Sequence, residues 1–136
     1  MVQRRRRRRR GFTMVEVLVV DLIISILMNV ALPLYISVLN DARKKTCRTN
    51  LQTIANTVMA ARIKSGASDF SGWNGSTVAT LVASTPDKVP DITTCPVCPS
   101  GGAYSIAAGN SGDATTFKVV CSVPAHSSYQ PGLDSN

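Results

Sequence analysis

The chain has 136 residues, 44% of them hydrophobic, and a formal net charge of +7. That length fits one modest domain with a limited core. All of the net charge sits in seven arginines at positions 4–10. From Phe12 onward eight basic side chains meet eight acidic ones, so the pI near 9.7 gives no support for nucleic-acid binding by the body, and none is assigned.

The arginine run abuts a long apolar segment. Residues 22–40 carry no charged side chain over 19 positions, about 28 Å as a helix, close to the hydrocarbon thickness of a bilayer. Arginines on one side of such a segment hold that side in the cytoplasm, which leaves the apolar segment in membrane lipid and puts the C-terminal body outside, where disulfides persist. A secretory signal has a shorter apolar region followed by a small-x-small cleavage site, whereas here Pro33 and Tyr35 follow. Pro33 removes one intrahelical hydrogen bond and predicts a bend.

Helical periodicity continues beyond the membrane-length stretch. Leu51, Ile54, Ala55, Val58 and Met59 form one apolar stripe, Cys47 lies one turn earlier on it, and Arg48, Gln52 and Asn56 lie on another face. One helix over about 12–64 is predicted, oily all round in its first half and amphipathic in its second, stopped at Ser65-Gly66. Residues 65–76 read as a Gly/Ser-rich loop in which Phe70 and Trp73 anchor the loop on the body. Residues 77–83 read as a short helix, and a proline-rich stretch follows. Residues 104–108 and 115–122 read as two strands joined by the turn Gly109-Asn110-Ser111-Gly112-Asp113, an antiparallel hairpin. The tail after Pro124 reads as polar and loose, and His126 as a surface residue.

The run Gly11-Phe12-Thr13-Met14-Val15-Glu16-Val17-Leu18 resembles the prepilin signature of type IV pilins and of the pseudopilins of type II secretion. Pro33 also falls where many of those proteins bend. The resemblance implies an α+β, type IV pilin-like fold: a long N-terminal helix packed on a small antiparallel sheet with disulfides. It divides the chain into a leader at 1–11, a transmembrane and filament-core segment at 12–40, and an extracytoplasmic body at 41–136. It also implies cleavage between Gly11 and Phe12 by a prepilin peptidase, N-methylation of Phe12, and residence in the bacterial inner membrane. An assembly platform would then draw the subunit into a helical homopolymer with related minor subunits, at the cell surface. No enzymatic activity and no cofactor are implied.

The residues add a reason. A carboxylate in an apolar segment costs about 2.5–3.5 kcal/mol on insertion scales, so Glu16 needs a partner. Cleavage creates an amine at Phe12, one turn away, and pairing with it would set the register of assembly. Thr13 belongs to the same assembly motif. Asp21 departs from the family pattern, about 14 Å further along the helix than Phe12, and is assigned to subunit contacts. Asn29 reads as a hydrogen-bonding residue between helices.

Cys98 to Cys121 is similar to the disulfide-closed C-terminal region of some small pilins. A Cys98–Cys121 bond would close the hairpin region, for about 3 kcal/mol, leaving Cys47 to pair with Cys95. The exchanged pairing, Cys47–Cys98 with Cys95–Cys121, is the rival. Cys95-Pro96-Val97-Cys98 also fits a redox motif, but Pro99-Ser100-Gly101-Gly102 is poor helix material. A zinc set of Cys95, Cys98, Cys121 and His126 would strand Cys47 and is set aside, so no metal is assigned. The weighed functions are a pilus subunit, a secretion pseudopilin, and a membrane-anchored binding domain that never polymerises.

Overall fold

A computed structural model describes residues 11–110, 112–126 and 128–134. The arginine run, and with it the first ten residues of the expected leader, lies outside them. The chain forms two compact units, Met1–Leu39 and Asn40–Asn136.

Helix α1 runs from Met14 to Ser65 over 52 residues, with Pro33 inside it. Thr13 starts it: its side-chain hydroxyl accepts the Glu16 N–H at 3.3 Å, as an N-cap. At the other end the Gly66 N–H reaches the Ile63 carbonyl and the Ala67 N–H reaches the Arg62 carbonyl. This is a Schellman closure, and Gly66 supplies the left-handed residue it requires, at φ +68°.

In the second unit, α1 buries Cys47, Leu51, Ile54, Ala55, Thr57, Val58 and Ala61, a stripe at helical spacing. Met59, expected on that stripe, is exposed, because it sits at the edge of the buried arc. Helix α2, Val78–Ser84, is capped by Thr77, whose side chain accepts the Thr80 N–H. A 3-10 turn follows at Pro86–Lys88.

Strands β1, Tyr104–Ala108, and β2, Phe117–Cys121, form the expected antiparallel hairpin with Tyr104 opposite Cys121 and Ala108 opposite Phe117. Alternation turns Tyr104, Ile106, Phe117, Val119 and Cys121 into the core. The free edge of β1 is covered by residues 75–77, through Gly75 and Ser76 bonds to Ile106.

The tail differs from expectation. Its residues 124–126 form a 3-10 turn, and β3, Ser128–Tyr129, pairs with β2. Buried Gln130 accepts the Asn110 N–H and donates its own backbone N–H to Asp134. These polar side chains satisfy backbone groups across the sheet end, which a hydropathy reading scores only as polar. The aromatic anchors are as expected: Phe70 packs 4.4 Å from the Phe117 ring, and buried Trp73 donates its indole N–H to the Lys88 carbonyl at 2.9 Å.

Candidate functional site

Among the described residues the first unit is a helix without a core. Between residues 12 and 38 its large apolar side chains are 45–84% exposed, and none of its most apolar window is buried. Such a surface is stable only in lipid or against other apolar helices. Gly11 and Phe12 precede the helix in irregular backbone and are exposed. Glu16 and Asp21 are both exposed on the helix. Asn29 donates to the Ser25 carbonyl of its own helix at 2.9 Å, and the Ser25 hydroxyl donates to the Asp21 carbonyl at 2.8 Å. One Asn29 amide N–H is thus bonded within its own helix, one turn back.

A family model described as the prokaryotic N-terminal methylation motif matches residues 6–31. This chain carries the type IV pilin and pseudopilin signature. The match begins within the basic run, takes in the Gly11-Phe12 junction, Glu16 and Asp21, and stops before Pro33 and the whole body. No curated protein and no solved structure matches the chain. The long helix with a small antiparallel sheet fits the α+β architecture of such a prepilin, and its apolar N-terminal helix fits an inner-membrane-anchored precursor. Members of this class are structural proteins.

The cysteines of this prepilin-like chain correct the sequence reading. All four are free. The Cys98 and Cys121 sulfurs stand 3.7 Å apart, against about 2.05 Å in a disulfide, and with all four thiols free the structure shows neither the expected pairing nor the exchanged one. Cys95 lies apart from the other three: it is half-buried, with its thiol on the Pro96 carbonyl at 3.6 Å. The residues that do converge are Cys47, Cys98, Cys121 and His126. All four are buried, and their ligand atoms lie within 4.8 Å of one another. His126 is thus no surface residue.

Each of the four is placed by a different element. Cys47 comes from the buried stripe of α1, and Cys121 ends β2. Cys98 opens a turn closed by the Gly101 N–H on its carbonyl at 2.9 Å, and His126 ends the 3-10 turn. The His126 Nδ1 lies 3.2 Å from the Cys98 sulfur and its Nε2 3.3 Å from the Ser100 hydroxyl. The Tyr104 hydroxyl donates to the Cys47 sulfur at 3.5 Å and itself accepts from the Asn50 amide at 3.1 Å. Gly102 lets the backbone pass close by, since a Cβ there would stand 2.7 Å from the Cys121 sulfur.

The thiols are electrostatically unlike. Burial drives the Cys47 thiol up to about 12, partly opposed by the Tyr104 hydroxyl. Burial also works to raise Cys98. There the backbone N–H groups of Ser100 and Gly102, with Cys121 and His126, outweigh it and bring the thiol down to about 6. Lys44, Lys45 and Arg48 line a cleft with Ala125 and His126 beside the cluster.

Proposed function

We propose that this chain is the structural subunit of a type IV pilus or of the related secretion pseudopilus, processed and polymerised through its N-terminal helix. The observation that carries the reading is the methylation motif at residues 6–31 running into a helix whose apolar surface has no cover in its own fold.

Hydrolysis of the Gly11–Phe12 peptide bond by a prepilin peptidase releases the seven arginines and leaves a body with balanced side-chain charge. The positive leader has by then fixed the N-terminus on the cytoplasmic side. Cleavage also creates an ammonium group at Phe12, which methylation keeps cationic. The Glu16 carboxylate lies four residues on, about 6 Å along the axis, within reach of that amine or a neighbour's. In lipid an unpaired carboxylate is costly, so the subunit gains most where each Glu16 meets an ammonium, and that meeting sets the axial step. The Thr13 hydroxyl fixes the backbone N–H of Glu16 and so the start of the helix. Asp21 makes a further subunit contact, and Pro33 allows the apolar helix to bend as it packs.

Mass spectrometry of the assembled protein is expected to find Phe12 as an N-methylated N-terminus. An intact arginine leader on assembled protein would reject the proposal. Filament yield in Asp21→Val against the parent tests the second acid, with a loss of filament expected.

A further inference from the structure

The geometry points to a zinc site in the body, with Cys47, Cys98, Cys121 and His126 as a closed Cys3His ligand set. It is independent of filament assembly, because all four residues lie in the second unit.

Zinc in structural sites takes four ligands tetrahedrally at about 2.3 Å to sulfur and about 2.0–2.1 Å to nitrogen, so ligand atoms stand about 3.5–3.8 Å from one another. Here Cys98 and Cys121 are 3.7 Å apart, Cys98 and the His126 Nδ1 are 3.2 Å apart, and every pair lies within 4.8 Å. A cation of zinc's size therefore needs only small adjustments of side chains. Three sulfurs and one imidazole, closed off from solvent, suit zinc rather than a hard cation that needs oxygen ligands.

The surroundings have what a thiolate site requires. Binding displaces the thiol protons of three cysteines and leaves a complex of net charge −1 with neutral imidazole. That charge meets the Ser100 and Gly102 N–H groups aimed at the Cys98 sulfur and the Tyr104 hydroxyl on the Cys47 sulfur. Lys44, Lys45 and Arg48 supply positive charge beside His126. The Ser100 hydroxyl on Nε2 leaves Nδ1 for the metal and orients the ring. Such contacts tune and hold ligands at known metal centres. The four ligands also come from helix, turn, strand and tail, so one ion would tie together every part of a body with a small core.

The full chain, purified in detergent under reducing conditions, is expected to hold one zinc per molecule by elemental analysis. One thiol, Cys95, should react at once with a thiol reagent, and all four should react after chelation. Cobalt in place of zinc should give the intense visible bands of a tetrahedral thiolate site. Cys95→Ser should keep the zinc and lose the fast thiol, whereas Cys121→Ser should lose the zinc. Cys121→Ser alters a buried core position, so His126→Cys decides independently: it should keep one zinc and strengthen the cobalt–thiolate charge-transfer band in the ratio of four thiolates to three. Chain isolated without zinc and with Cys98 bonded to Cys121 would overturn the assignment. So would loss of zinc in Cys95→Ser, or iron in its place.

Discussion

Residues 15–38 and 47–61 are stretches of the same helix, and both are rich in aliphatic side chains. They meet opposite fates. In the first, every large apolar side chain is exposed, whichever way it points. In the second, Leu51, Ile54, Ala55 and Val58 are buried while Arg48 and Asn56 stay exposed. The amount of apolar surface says that a segment must leave water, but its periodicity says whether the cover is the chain's own body. An oily stretch without a stripe has to be covered from outside the chain, first by lipid and then by copies of itself.

The contrast breaks most completely at Glu16, whose carboxylate is the proposed link between exposed helices. Glu16→Ala is expected to abolish filaments and leave processed monomer in the membrane fraction, as read by shearing and electron microscopy. Normal filaments from this variant would remove the carboxylate from the assembly step.

A matched pair of truncations sharpens the contrast within one helix. Ile54→Ala opens a cavity beneath a fully buried side chain and should cost the body about 2–5 kcal/mol in denaturant unfolding. Ile24→Ala removes the same atoms from an exposed position and should leave the body's midpoint unchanged. Equal losses at both sites would mean that residue 24 is covered by the body after all. Gly102→Ala follows in size: its methyl group meets the Cys121 sulfur and Val123, an overpacking expected to cost about 1–3 kcal/mol in the same measurement.

Much of this was legible in the sequence where local rules govern. The stripe at 51–58, the Ser65-Gly66 stop, the short helix after Thr77 and the hairpin at 104–121 follow from periodicity, a glycine cap and turn residues. The signature at 11–18 was legible because its chemistry is linear in the chain. The cysteine cluster was not, because its members meet only in three dimensions. Cys95 and Cys98 are neighbours in sequence, which suggests a shared site, yet only Cys98 joins the cluster. Cys47 did carry a signal, its place on the buried stripe, and that signal points it toward the sheet. His126 stood with Cys98 and Cys121 in the zinc set that the sequence reading set aside, but its burial was not legible, since that depends on a tail held by β3 and by Gln130.

The smallest expected effect concerns acid, and it separates the body from the exposed helix by titration. Asp113 is held below its ordinary value of 3.8 by the Thr115 hydroxyl and N–H, and Asp69 likewise by those of Ser71. A carboxylate lowered on folding contributes stability that is fully present above its unfolded value and is lost as pH falls through its lower folded one. Asp113 is exposed and Asp69 half-buried at the surface, so the loss is small, and it falls below about pH 4. These two carboxylates should therefore add nothing to the pH dependence of the body's denaturant midpoint above about pH 4, and a decline below it. Asp113→Asn should shallow the decline, because the amide keeps an acceptor for Thr115 but binds no proton. An unchanged acid slope in that variant would mean that the turn at 113–115 does not sense acid, and that the decline belongs to other carboxylates.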